Sequence, residues 1–374
     1  MKRKILALGL IATLLLVVIA GCTTDTEEPQ DLEMPVEDPV DDTEDADTED
    51  TEDDEDTADG SDYSVGLVTD EGGVNDESFN QSAYEGLERA SDELGVEIGY
   101  QESNVEEDFA PNLEILLDAG NDLIWGVGFM LHDAVLNAAQ NNPDTFYALV
   151  DEELAEPLDN AVSVLFKQEQ PSFLVGYIAG MMTETNQVGF VGGVPSQVIA
   201  NFEYGYRAGV QYAADERGED IEVVVQYAES FTDATLGRSI ATNMYQQGAD
   251  VIFHAAGGVG AGVIGAAADE GKWVIGVDMD QHEMAPDVVI TSAMKEVGVG
   301  VYDVIEQLVN GSFPAGETVV YGLEEGAVDI APTSDVHVPQ DILDSVEELK
   351  QLIIDEEIVV PTDEETYDEF MDNL

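Results

Sequence analysis

The sequence predicts an α/β protein built as two doubly wound parallel-sheet lobes joined by a hinge. Three observations carry this reading. Short apolar runs alternate with helical patterns through most of the body. The runs are near-continuously hydrophobic, as in a parallel sheet covered on both faces. A Val-Gly-apolar-Val strand running into a glycine loop and a helix occurs twice, at "VGLVTDEGG" from Val65 and at "VGFVGGVPS" from Val188. Each copy reads as the first strand of a lobe.

Strands are expected at 64–68, 97–100, 123–126, 147–150, 162–166, 188–191, 222–226, 251–253, 274–277 and 288–291. Apolar residues at helical spacing mark helices at 81–94, 110–119, 173–183, 203–214, 235–247, 259–270 and 341–354. In open α/β sheets, ligands gather at the carboxyl ends of strands, where loops lead into helix N-termini. Two such lobes facing one another would line a cleft with those loops.

Ahead of this body stands Met-Lys-Arg-Lys and then "ILALGLIATLLLVVIAGC". A basic start, a short apolar run and a small-residue site read as a secretory signal over 1–21, not a membrane span. The ending Ile19-Ala20-Gly21-Cys22 resembles a bacterial lipobox, which implies that Cys22 is lipidated and becomes the first mature residue. An ordinary secretory signal or an uncleaved anchor is the alternative. Cys22 is the sole cysteine, so no disulfide is possible within the chain, and an exported free thiol would be a liability.

Residues 23–62 hold 21 acids and no Lys or Arg. A tract of that kind buries too little apolar surface to offset chain entropy, and its charges repel. It reads as a linker over 22–62 with a reach of at most roughly 130 Å. The body beyond it has 61 acids against 8 basic residues, a net charge near −53. Repulsion on that scale is a feature of halophilic proteins and argues against nucleic acid as a partner.

The first loop, "TDEGGVNDESFNQSAYEGL" from Thr69, follows the first strand. Asp76 to Ser78 suits a helix N-terminus, where acids and hydroxyls satisfy free N–H groups. That does not account for Phe79, which core packing or a ligand-stacking role would each explain. Asp133 stands before "AVLNAA", where a helix cap is an alternative to a ligand contact. The run from Gly257 contains "GAGVIG", matching G-x-G-x-x-G after a strand, with Asp278 and Asp280 about twenty residues on. Alone this would suggest a dinucleotide enzyme. Its late position and the exported chain favour glycine letting backbone N–H groups approach a neutral ligand.

No G-x-S-x-G elbow, P-loop or His-x-x-x-His pair is present, and the histidines are scattered. Neither a metal nor a cofactor is expected, and binding without catalysis is the preferred reading over a hydrolase or dehydrogenase.

The first loop, together with "GVGFMLHDAV", "NPDTFYALVDE", "FLVGYIAGMMT", "FEYGYRAGVQYA", "GADVIFHAAGGVGAGVIGAA", "VIGVDMDQ" and "TSAMKEVGVGVYDVI", resembles the basic membrane protein family of substrate-binding lipoproteins over roughly residues 63–310. Its best-understood members are purine nucleoside receptors for ABC importers. The resemblance implies the type I periplasmic-binding-protein fold, with lobes at 63–168 plus about 293–325 and at 169–292 plus about 326–374. It also implies a base held between Phe79 and Phe231, with Asp133 accepting from base N–H groups and Asp70 and Asn80 as further contacts. Asp278, Lys295 and the Gly257 loop would hold the ribose, Lys295 balancing Asp70 and Asp278.

The implied partners are a nucleoside, an ABC permease with a separate ATPase and, through the lipid, the outer or periplasmic face of the cell membrane. The protein is expected to act as a monomer. The acidic tract and the scarcity of Lys and Arg depart from typical members without touching these motifs. The same fold reading a sugar-like signal for an importer or sensor is the alternative.

Overall fold

The computed structural model of the chain describes residues 60–374; the expected signal segment 1–21, Cys22 and the acidic tract through residue 59 lie outside the described residues. Gly60–Asp62 forms a single 3-10 turn, with Gly60 tucked against Leu94 and Val96. Among the described residues no helix is long and apolar enough to cross a membrane.

One six-stranded sheet contains β1 (Ser64–Val68), β2 (Glu97–Gln101), β3 (Leu123–Gly126), β4 (Phe146–Val150), β5 (Ala161–Phe166) and β11 (Thr318–Tyr321). Their order is β11-β5-β4-β3-β1-β2, parallel throughout. The second contains β6 (Gln187–Gly192), β7 (Glu222–Tyr227), β8 (Val251–Ala255), β9 (Trp273–Asp278), β10 (Val289–Lys295) and β12 (Val328–Ile330). Its order is β12-β10-β9-β8-β6-β7, with only β12 antiparallel to its neighbour. The chain therefore passes between sheets three times: after β5, after β10, and between β11 and β12.

Helices α1 (Phe79–Leu94), α2 (Phe109–Asp118) and α3 (His132–Asn141) cover the first sheet, and α8 (Val297–Val309) packs on α1. The second carries α4 (Glu169–Met182), α5 (Gln197–Arg217), α6 (Ala234–Gln247) and α7 (Val259–Glu270), followed by α9 (Gln340–Ile354) and α10 (Glu364–Asn373). Side chains alternate across each sheet. In the first, Val65, Leu67 and Trp125 face a core shared with Leu87 of α1, whereas Val68, Ile124 and Leu149 face Phe109 and Leu113 of α2. Each such fully buried side chain contributes about 1.5–3 kcal/mol, so both sheet faces are committed to packing. Chemistry is left to the strand ends.

Three differences from the sequence expectation have physical causes. Helix α8, "VGVGVYDVIEQLV", is rich in valine and glycine, which are poor helix formers. It is helical because Gly298 lets it lie directly on Gly86 of α1, where a β-carbon at either position would meet the other's backbone. Strands β11 and β12 are only four and three residues long and sit at sheet edges, too short for a hydrophobic period to register. The expected strand 288–291 extends to Lys295, which places that lysine at a strand end.

Candidate functional site

A narrow cavity of about 50 Å³ lies between the two sheets' carboxyl edges. The first lobe supplies Asp70, Gly72, Asp76, Phe79 and Asn80 after β1, Gly128 and Phe129 after β3, and Asp151 after β4. The second supplies the start of α5, Phe231 after β7, the Ala255–Gly258 turn after β8, Asp278 ending β9 and Lys295 ending β10. Every contribution comes from the end of a parallel strand, where α/β sheets place ligands.

In the first loop, Asp76 secures the start of α1. Its two carboxylate oxygens accept from the backbone N–H groups of Ser78, Asn80 and Gln81 at 2.9–3.0 Å. Asp76 also accepts from Asn80 Nδ2 at 3.0 Å, and Asn80 Nδ2 donates to Asp70 Oδ1 at 2.7 Å. The capping expectation holds for Asp76 but fails for Ser78, whose side chain makes no cap bond. Its hydroxyl instead donates to Asp278 of the opposite lobe.

That contact is one of several spanning the cleft. Gln281 Nε2 donates to the Glu77 carbonyl at 2.8 Å. Lys295 Nζ donates to both oxygens of Asp151, at 2.6 and 2.5 Å. Phe129 meets Phe231 edge-on, with ring centroids 6.4 Å apart. The lobes are thus drawn together around the cavity.

Asp151 and Asp278 both have left-handed backbones, with φ of +71° and +63°. That conformation is uncommon away from glycine, and Asp and Asn tolerate it best. Burial pushes the Asp278 carboxyl up to about 7, against the opposing pull of Lys295 and the Ser78 hydrogen bond. Burial likewise raises Asp70 to about 6, with the Asn80 and Gly72 hydrogen bonds acting the other way. Four carboxylates and one ammonium line the cavity.

Lys295 lies 4.9 Å from the Phe79 ring centroid and 5.8 Å from that of Phe202. Opposite, the Phe231 ring occupies space that a side chain at Gly193 would fill, 2.2 Å from its Cε1.

The structure brings Asp70, Phe79, Asn80, Phe231, Gly257, Asp278 and Lys295 to one cavity. Asp133 is not among its lining residues, and here the sequence expectation is corrected. It stands in the first turn of α3 with its carboxylate 93% exposed, 2.9 Å from His132 Nδ1. The partner expected of Lys295 is also corrected, since the lysine pairs directly with Asp151 rather than with Asp70 or Asp278.

Sequence reasoning missed Asp151, Phe129, Phe202 and the cross-cleft role of Ser78. For Asp151 the signal was present: "YALVDEE" puts an acid at a strand's carboxyl end, just as "VIGVDMD" does for Asp278. Phe202 was missed because α5 begins at Gln197, six residues ahead of the expected start.

The G-x-G-x-x-G run serves packing. Gly262 fits against the Ala234 carbonyl of α6 and Gly260 against the His254 ring, leaving only Gly257 and Gly258 of this stretch at the cavity. His254 is fully buried, and burial lowers its pKa to about 4. No group of three His, Cys, Asp or Glu side chains among the described residues is arranged to hold a metal.

Residues 63–364 match the family described as "ABC transporter substrate-binding protein PnrA-like". The chain is 37% identical to basic membrane protein A of Borreliella burgdorferi, over 82% of this chain and 90% of that protein. It is 36% identical to the ABC transporter nucleoside-binding protein BmpA of Lactococcus lactis, over 97% and 100% of the two chains. Among solved structures, an ABC transporter solute-binding protein from Aeropyrum pernix K1 is 32% identical, with a TM-score of 0.75 over 83% of this chain and 96% of that one. A sheet-end cavity between two parallel-sheet lobes and these matches lead to one assignment: the chain belongs to the PnrA-like, or Bmp, family of ABC transporter substrate-binding proteins.

Proposed function

We propose that the protein captures a purine nucleoside between its lobes and delivers it to an ABC importer. The observation that carries this reading is the meeting of Phe79 from one lobe and Phe231 from the other in a cavity otherwise lined by hydrogen-bonding groups. Two aromatic faces suit a planar base, and stacking tolerates either purine. Asp278 and Lys295 suit a ribose, because a carboxylate accepts from the diol and an ammonium donates to it. The name of the Lactococcus relative supports the same ligand class.

Closure follows from the site being divided. A ligand touching both lobes favours the closed form by its differential affinity for the two states. The permease would then engage the closed, loaded form, ATP hydrolysis belonging to a separate subunit. Lipidation at Cys22 would hold the protein at the outer or periplasmic face of the membrane, with the acidic tract as tether. The function is binding without catalysis.

Titration calorimetry with adenosine, guanosine, inosine and cytidine at high salt tests the ligand class. Purine nucleosides should release heat and raise the melting temperature. No heat and no stabilisation from any purine nucleoside overturns the proposal. Mass spectrometry of exported protein should find a lipid-modified Cys22 as the first residue.

A further inference from the structure

The end of the cavity formed by Asp70 and Asn80 has an unbalanced hydrogen-bonding inventory. Asp70 receives both of its side-chain hydrogen bonds on Oδ1, from Asn80 Nδ2 at 2.7 Å and from the Gly72 backbone N–H at 3.1 Å. Its Oδ2 is left open beside Gly128, where an added β-carbon would stand 3.1 Å from that oxygen and 3.5 Å from the Phe79 ring edge.

Asn80, only 2% exposed, spends its amide N–H groups on two carboxylates, Asp70 Oδ1 and Asp76 Oδ2. Those two acceptors fix the amide orientation, since a reversed side chain would set its oxygen against both carboxylates. Asn80 Oδ1 is consequently a buried acceptor with no partner among the described residues. Leaving a buried polar atom without a partner is costly, so a ligand donor that reaches this oxygen recovers a penalty already present in the protein.

We infer that Asp70 Oδ2 and Asn80 Oδ1 form an acceptor–acceptor edge that selects a base with two adjacent N–H donors, making the site guanosine-selective among purine nucleosides. This inference rests on the nucleoside reading above. Guanine presents N1–H and its 2-amino group side by side. Hypoxanthine keeps N1–H but lacks the amino group. Adenine alternates its 6-amino donor with the N1 acceptor, and that nitrogen lone pair would face an oxygen lone pair. Among the described residues no other lysine or arginine lines the cavity to reverse the pattern; Lys295 is held by Asp151 on the opposite lobe's side. A site that matches buried polar groups to a ligand's donors rejects an analogue lacking them far more strongly than a hydrophobic pocket rejects a missing methylene.

The test is calorimetry of the mature full chain at neutral pH and high salt with guanosine, inosine and adenosine. Wild-type protein should bind guanosine at least about tenfold more tightly than adenosine, with inosine between them. The Asp70→Asn variant gives the edge an N–H that can meet adenine N1, and the guanosine-to-adenosine ratio should fall by about tenfold or more. Adenosine binding as tightly as guanosine to wild-type protein, or a ratio unchanged in Asp70→Asn, overturns the inference while leaving the nucleoside reading intact. The guanosine–inosine comparison isolates the 2-amino group without any substitution, so it decides the matter even if the variant does not fold; equal affinities count against the edge. Failure of all three nucleosides to bind removes both the inference and the reading beneath it.

Discussion

Lys295 and Asp151 grip one another from opposite lobes, Nζ lying 2.6 and 2.5 Å from the two carboxylate oxygens, with side chains only 1% and 5% exposed. Removing one partner of a buried pair usually costs about 3–5 kcal/mol, because the other is left charged and dry. Here relief is at hand, since parting the lobes would rehydrate the survivor. Asp151→Asn should therefore increase the radius of gyration of the ligand-free protein in small-angle scattering while lowering the melting temperature only slightly. An unchanged radius together with a large fall in melting temperature would show that the pair holds the fold and not the cleft.

The aromatic faces should dominate affinity. Phe79→Ala and Phe231→Ala should each weaken nucleoside binding by about 1–3 kcal/mol, the range for base–aromatic stacking. Phe129→Ala should have a smaller effect, because Phe129 touches Phe231 edge-on and supports it. Normal affinity in both of the first two variants would remove the sandwich.

Acid should stabilise the protein. An aspartate carboxyl ordinarily titrates near 3.8, whereas burial lifts Asp70 to about 6 and Asp278 to about 7 in the fold. Between those values the folded state holds more protons than the unfolded state, so stability falls as pH rises from about 4 to about 7. At constant high salt the melting temperature should be greater at pH 5 than at pH 8. Relief of the general acidic repulsion has the same sign, so the diagnostic comparison is Asp278→Asn, which should show a shallower slope. An identical slope in the variant would mean that Asp278 contributes nothing to it.

Salt should matter for a different reason. With a body charge near −53, lowering the ionic strength lengthens the range of repulsion from about 3 Å at 1 M to about 30 Å at 0.01 M. The melting temperature should drop steeply on dialysis into low salt, and a flat profile would contradict the halophilic reading.

What could be read in the sequence followed the strength of local patterning. The central strands are buried on both faces, so Val65–Val68 and Val251–Phe253 appear as unbroken apolar runs. Site residues next to those runs, Asp70 and Asp278 among them, were visible because strand ends are where such sheets place ligands. Helix α8 was hidden because its glycines serve a contact with α1 that no local rule anticipates. Asp133 was misplaced because a loop position does not say which way the first turn of a helix will aim its side chain. The pairing of Asp151 with Lys295 joins residues 144 positions apart, and only the folded chain reveals it.

The left-handed backbone at Asp151 and Asp278 limits how this receptor can diversify. At both positions β-branched or bulky residues would have to rebuild the strand end, whereas asparagine and glycine fit as the chain stands. The short mutational paths therefore lead from a carboxylate to an amide or to nothing, each discarding one negative charge without disturbing the sheet. Descendants of this protein with altered diets would be expected to differ at these two corners by Asp-to-Asn or Asp-to-Gly steps, while wider changes of chemistry arrive through the rings and the first loop.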